Sequence, residues 1–262
     1  MTAMSWLRAA LRGAVLLVLV FGGLTVLLIL RLVERPLYGL RRPVTPYITM
    51  AVCRAALRVL GIARHVEGRQ MRGRGAIVAN HSSWLDIFAL NATAPVYFVS
   101  KSEVAQWPGI GWLAKATGTL FVERDPSQAR AQTLLLQRRL LAGHTLLFFP
   151  EGTSTDAMQV LPFKTTLFQS FLAPNLNELT AIQPVSLSYI APPGTDRRFY
   201  GWWGDMSFAG HLLTTLAAAR QGAIHLRYHA PLPVADFADR KTLARACEAS
   251  VREGHQALAQ SS

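Results

Sequence analysis

Gly75-Ala-Ile-Val-Ala-Asn-His-Ser-Ser-Trp-Leu-Asp86 is the stretch around which the chain is organised. Its apolar run, Ala76 to Ala79, is bounded by glycine before and Asn80 after, the pattern of a short buried strand. Ser82 and Ser83 are good helix caps, and Trp84, Leu85, Ile87, Phe88 and Leu90 then supply an apolar face. The spacing predicts strand, sharp turn, helix, with His81 at the turn and Asp86 in the first helical turn. If the turn folds back, the carboxylate can accept a hydrogen bond from one imidazole nitrogen, leaving the other basic and aimed outward, as a general base requires. Alone, His-x4-Asp is more often a cap followed by a surface acid, so the rest of the chain has to decide.

Outward from that stretch, strands and helices alternate. Strands are expected at His65–Gly68 (an edge), Pro95–Ser100, Thr119–Val122, Thr145–Phe149 and Thr180–Ile190. Helices are expected at Trp84–Asn91, Glu103–Thr117 (interrupted at Pro108-Gly109), Pro126–Ala142 and Lys164–Leu172. In the long one, Leu134, Leu135, Leu136, Leu140 and Leu141 are assigned to the inner face. Phe237–Ala259 reads as a polar-faced helix on the outside. The expectation is an α/β fold: a single mixed sheet flanked by helices, with an N-terminal membrane-associated helical segment.

That segment, Gly13 to Leu30, carries no charge and is flanked by Arg8, Arg12, Arg31 and Arg35. Eighteen helical residues span about 27 Å against a hydrocarbon core of about 30 Å, and no small-residue cleavage site follows. A retained anchor is expected over residues 1–35, either spanning the bilayer or dipping into one leaflet. Pro36 and Pro43 are expected to break the helix within a connector, 36–62. This ends in a helix, Tyr47–Ile62, that fits either a membrane interface or a core, with Arg54 and Arg58 one turn apart. Residues 63–262 form the α/β unit.

The 262-residue chain is 51% hydrophobic yet carries a formal charge of +12, and four of its basic residues are lysines (Lys101, Lys115, Lys164, Lys241). The arginines form no tail or block, and no zinc-finger or RNA-binding pattern accompanies them, so no nucleic acid partner is expected; anionic membrane lipids fit better. Cys53 and Cys247 lie apart, with no histidine at ligand spacing, and read as reduced buried thiols. His225 and His229 sit four apart in a strand-like stretch without the neighbouring Glu of a zinc helix, so no metal is expected. Tyr200-Gly-Trp-Trp-Gly-Asp-Met206 reads as a packed loop or a membrane-facing aromatic patch.

Active sites of α/β folds collect at strand ends, and there stand Asn80-His81-Ser-Ser83-Trp-Leu-Asp86, Lys101-Ser-Glu103 with Pro108, Gly118-Thr-Leu-Phe121-Val-Glu-Arg124, Phe149-Pro-Glu-Gly-Thr153-Ser154, and Pro184-Val185. In this order and spacing the chain resembles the glycerolipid acyltransferases, the family that includes 1-acylglycerol-3-phosphate acyltransferase, over roughly residues 50 to 190. The blocks of that family are NHxSxxD, KxExxxxP, GxxFxxR, FPEGTR and a later Pro-Val. The resemblance implies catalysis by His81, as general base toward an acceptor hydroxyl, and by Asp86, which orients it. It implies substrate contacts from Asn80, Lys101, Arg124, Glu151, Gly152, Thr153 and Lys164. It also implies attack on an acyl thioester without an acyl-enzyme, and the absence of a GxSxG elbow agrees. No cofactor is implied beyond the co-substrate, acyl-ACP or acyl-CoA.

Ser154 departs from the family pattern, which has an arginine after Glu-Gly-Thr. Serine cannot replace a bidentate phosphate contact. The run Phe149 to Asp156, with Val160-Leu-Pro-Phe-Lys164 and the later Trp-Gly-Asp-Met-Ser block, is similar to the lyso-ornithine lipid O-acyltransferases of the same family. Their acceptor is a zwitterionic amino-acid lipid without phosphate. Lys164 could supply the missing charge, so the implied acceptor is a lysolipid of either kind, lyso-ornithine lipid or lysophosphatidate. The implied location is the cytoplasmic face of a bacterial inner membrane. The rivals are a transacylase or hydrolase using the same base, separable by thiol release from a thioester, and an inactive lipid-binding membrane protein. Retention of His81, Asp86 and Glu151 together speaks against the last.

Overall fold

The structure, a computed structural model, describes residues 2–123, 128–173, 176–178 and 180–260. The chain opens with two helices, α1 (Ala3–Tyr38) and α2 (Thr45–Leu60). An alternating core follows: β1 (Ala63–Glu67), β2 (Arg74–Ala79), α3 (Leu85–Asn91), β3 (Tyr97–Lys101), α4 (Ile110–Thr117), β4 (Leu120–Val122), α5 (Ala129–Leu141), β5 (Thr145–Phe148) and β6 (Thr180–Ile190). It closes with α6 (Phe208–Ala217), β7 (Ala223–Tyr228), β8 (Leu232–Pro233) and α7 (Arg240–Gln260). The strands form one mixed sheet in the order β1-β7-β6-β2-β5-β3-β4, with β8 on β6. β2, β3, β4, β5 and β6 run parallel, and β7 is antiparallel to β6. The carboxyl ends of the central parallel strands therefore share one edge, where their following loops can meet.

β2 is central and buried along Gly75 to Ala79, which is why its sequence is apolar without alternation. Its two faces serve separate cores. Ile77 and Ala79 pack with Val185, Leu187, Ile224 and Leu226 beneath α2, α3 and α6. Ala76 and Val78 pack with Leu146, Phe148 and Ile182 beneath α5 and α7.

Several expectations change. Of the five leucines assigned inward in α5, Leu136 and Leu140 are buried while Leu134, Leu135 and Leu141 are exposed, because one helix face cannot hold five leucines across two turns. Lys164–Leu172 is not an α-helix: irregular chain leads into a short 3-10 helix, Leu167–Phe171. α7 does more than coat the outside: Leu243, Ala244, Cys247 and Val251 close the second core across β6. α2 belongs to the core through Cys53, Leu57 and Leu60, and Arg54 is turned inward to donate to the Ala92 carbonyl at 2.6 Å. Pro36 sits inside the last turn of α1, which ends at Gly39 instead.

Among the described residues α1 alone is long and apolar enough to cross a membrane, with a mean hydropathy of 2.8 over its most apolar window. It is tied to the rest of the protein near both ends. Arg8 and Arg12 donate to the Leu216, Ala217 and Ala218 carbonyls, satisfying the exposed end of α6. Near the other end, Glu34 accepts from Val44 N, Thr45 N and the Thr45 hydroxyl at the start of α2. The helix lies along the flank of the molecule, and its outer face, including Trp6, Leu17, Val18, Ile29 and Leu32, stays exposed.

Candidate active site

The turn after β2 folds back as its sequence predicts, and Asp86 is its organising anion. The side chain is fully buried, and its Oδ2 accepts from Ser82 N at 2.8 Å, Ser83 N at 3.0 Å and His81 Nδ1 at 2.7 Å. Oδ1 accepts from the hydroxyl of Tyr189, which reaches over from β6. These four donors satisfy a side chain that burial has cut off from water. Burial, reinforced by the negative charge of Asp86, pushes the Tyr189 phenol well above its ordinary pKa and keeps it a donor. With Nδ1–H committed to a carboxylate, Nε2 of His81 carries the lone pair, and among the described residues nothing hydrogen-bonds it.

The ring is fixed from other sides as well. Phe149 stacks on it with centroids 4.0 Å apart and planes 10° from parallel. Glu151 lies beneath the turn: Oε1 accepts from His81 N at 2.5 Å and Oε2 from Leu161 N at 2.6 Å. Burial pushes its pKa up to about 7, with the two N–H donors pulling the other way. Thr155 N donates to His81 O at 3.0 Å, and Trp202 N to Ser82 O at 2.9 Å, so loops after β5 and β6 are stitched to the same turn.

The predicted substrate residues divide. His81 and Asp86 are brought together. Gly152, with φ +73°, lies against Lys164, whose ammonium would be 2.8 Å from any Cβ at that position. Lys164 N also donates to Pro150 O, holding the two segments side by side. Thr153 is exposed on the same turn, and half-buried Lys101 stands at the end of β3. Asn80 is not placed to touch a substrate: it is fully buried, and its amide brackets the backbone of Leu187 at 2.8 and 3.0 Å. Glu151 likewise spends both oxygens on backbone rather than on a ligand. Arg124 lies outside the described residues.

Reading the motifs missed Tyr189, Phe149 as a ring support, Thr155 and Trp202. Tyr189 could have been found, since it lies four residues beyond Val185 and so on the same strand face. Its contact with Asp86 additionally needs the parallel register that pairs Ala79 with Val185.

The arrangement can accept a proton at Nε2 and stabilise the resulting imidazolium through Asp86. Neither cysteine is available as a nucleophile for a covalent intermediate: Cys53 and Cys247 are buried, and burial pushes both thiols up to about 12. Among the described residues no group of three metal-ligating side chains occurs.

Residues 63–188 match a family model described as Acyltransferase. The chain is 58% identical to a lyso-ornithine lipid O-acyltransferase of Rhodobacter capsulatus, covering 94% of this chain and 90% of that protein. It is 36% identical to another of that name from Pseudomonas aeruginosa, covering 95% and 94%. A 1-acyl-sn-glycerol-3-phosphate acyltransferase of Neisseria gonorrhoeae is 40% identical over a shorter region, 36% of this chain and 37% of that one. In fold, the chain is similar to the crystal structure of the 1-acyl-sn-glycerophosphate acyltransferase PlsC from Thermotoga maritima, with TM-score 0.69 and 20% identity over 97% and 95% of the two chains.

Proposed function

This chain belongs to the acyltransferase family, enzymes of lipid biosynthesis, and from that premise we propose that it transfers a fatty acyl group from a thioester, acyl-ACP or acyl-CoA, to the hydroxyl of lyso-ornithine lipid. The observation that carries the chemistry is the His81 ring, tied by Nδ1 to Asp86, with Nε2 unengaged among the described residues. In this reading Nε2 takes the proton of the acceptor hydroxyl as its oxygen attacks the thioester carbonyl. The tetrahedral intermediate collapses with cleavage of the C–S bond, and the imidazolium returns the proton to the departing thiolate. Asp86 keeps the tautomer and stabilises the imidazolium, as the acid of a Ser-His-Asp site does, but the substrate supplies the nucleophile. The high thiol pKa values support direct transfer over an acyl-enzyme.

The acceptor is assigned on two grounds. Two relatives matched across nearly the whole chain bear the name lyso-ornithine lipid O-acyltransferase, and Ser154 stands where a phosphate-binding arginine is expected in the phosphatidate-forming enzymes. Lys101, Lys164 and Arg124 remain the cations proposed to meet anionic parts of donor or acceptor. For location we propose the cytoplasmic face of a bacterial inner membrane, with α1 lying in the interface. Its straps near both ends support this, because one side of the helix is committed to the domain and the other is apolar.

The test is acylation by the purified full chain in detergent with radiolabelled acyl-ACP, lyso-ornithine lipid and lysophosphatidate being offered separately. Product from lyso-ornithine lipid, abolished by His81→Ala, is expected. Product from lysophosphatidate alone would overturn the acceptor, and undiminished activity of His81→Ala would overturn the mechanism.

A further inference from the structure

Two charged side chains beside the catalytic turn have no part in the mechanism above. Asp156 follows Thr155, whose N–H is bound to the His81 carbonyl at 3.0 Å, so it stands one residue from the turn. Arg198 belongs to the loop after β6, which is stitched to the same turn through Trp202 and Ser82. The two loops are in close contact: a Cβ on Gly201 would lie 2.6 Å from the Asp156 carbonyl carbon and oxygen, so only glycine permits the approach.

The pair they form is poor as a structural ion pair. Asp156 Oδ2 is 3.4 Å from Arg198 Nε, a single long contact rather than a bidentate fork, and the arginine side chain is 57% exposed against 15% for the aspartate. Such pairs contribute little to stability. The aspartate is nevertheless held in place. Its Oδ1 accepts from Met158 N at 3.1 Å, and Ala157, the residue between, has φ +67°. A left-handed alanine is strained, and it persists only because its surroundings determine it. Ala157 N lies 3.3 Å from the Thr155 hydroxyl, and Ala157 O 3.3 Å from His255 Nε2. Oδ1 is thus occupied, and among the described residues Oδ2 has only the long contact to Arg198.

We propose that Asp156 and Arg198 read the two charges of a zwitterionic amino-acid headgroup, Asp156 taking the side-chain ammonium and Arg198 the carboxylate. This rests on lyso-ornithine lipid as the acceptor. Binding exchanges one long internal contact for two charge-assisted ones. The acceptor's hydroxyl is joined to its carboxylate through an acyl amide and one α-carbon, about two residues of extended chain or roughly 7 Å. The proposal requires the carboxylate site to lie within about that reach of His81, and the loops carrying Asp156 and Arg198 are both bonded to the His81 turn. Asp156 would also repel a phosphate, and with Ser154 in place of arginine the run from Glu151 to Asp156 carries no cation to offset it. Discrimination against lysophosphatidate then has an attractive and a repulsive part.

The experiment measures kcat and KM of the full chain in detergent with three acceptors: lyso-ornithine lipid, the same lipid with its side-chain amine acetylated, and lysophosphatidate. Asp156→Asn is expected to raise KM for lyso-ornithine lipid about 10- to 100-fold with kcat nearly unchanged, the loss of one hydrogen bond between charged groups. With the acetylated lipid, wild type and Asp156→Asn should perform alike, since the partner charge is already gone. Arg198→Ala, at an exposed position, should raise KM for both ornithine lipids. Turnover of lyso-ornithine lipid by wild type with KM unmoved in either variant would overturn this proposal alone. So would an equal fall in kcat on all acceptors, which would mark a loop damaged in structure. Wild-type turnover of lysophosphatidate only would overturn the acceptor assignment, and this proposal with it.

Discussion

Replacing Asp86 by asparagine tests the geometry of the turn more sharply than removing His81 does. In a Ser-His-Asp site the same exchange costs about 10⁴ in kcat, because the amide presents its NH₂ to the imidazole and selects the wrong tautomer. Here the outcome should differ. Oδ2 of Asp86 accepts from Ser82 N and Ser83 N as well as from the ring. An NH₂ at that position would face two buried N–H donors, each of which would lose its acceptor at about 1–3 kcal/mol. The asparagine therefore keeps its oxygen there and turns its NH₂ toward Tyr189, whose hydroxyl can rotate to accept. Nδ1 still donates, Nε2 still carries the lone pair, and only the charge is lost. A hydrogen bond to a charged group contributes about 1.5–3 kcal/mol, and two unit charges about 4 Å apart attract by about 4 kcal/mol at an effective dielectric of about 20, which bounds what the imidazolium loses in the transition state. So kcat/KM should fall about 10- to 1,000-fold. Asp86→Ala removes the acceptor altogether and should cost at least ten times more. The assay is thiol release from acyl-ACP or acyl-CoA with saturating acceptor, on detergent-purified protein of unchanged melting behaviour. If the asparagine variant is as inactive as the alanine variant, the backbone donors do not fix the tautomer and the reasoning fails.

Two further outcomes follow from burial. Glu151 has its pKa raised from 4.5 to about 7 in the folded chain, so its contribution to stability is fully present below pH 4.5 and is lost as pH rises through 7. That loss amounts to about 3 kcal/mol at most. Between pH 5 and 8 the melting midpoint of the native protein should fall relative to that of Glu151→Gln, whereas parallel pH dependences would refute the assignment. Cys53 and Cys247 are buried with thiols near 12, so N-ethylmaleimide should leave the folded enzyme active and both thiols unmodified by mass spectrometry. Rapid inactivation accompanied by labelling of either cysteine would count against direct transfer.

What the sequence determined by itself was local. The apolar run, the cap-forming serines and the spacing of His81 and Asp86 specify strand, turn and helix, because a buried strand and a capped helix each follow from neighbours in the chain. The alternation of such units specified the α/β class, and eighteen uncharged residues marked α1. What the tertiary structure decided was which side chains meet across elements. The helical pattern of α5 could not say which leucines face the sheet; only packing separated Leu136 and Leu140 from Leu134, Leu135 and Leu141. The blocks around Asn80 and Glu151 looked like ligand contacts, yet both residues spend their polar atoms on backbone that other strands bring near. Tyr189 reaches Asp86 because β2 and β6 pair in parallel with Ala79 beside Val185. Asp156 reaches Arg198 because two loops leave the same sheet edge. Register and the convergence of loops are set by contacts between residues far apart in sequence, and no local periodicity encodes them.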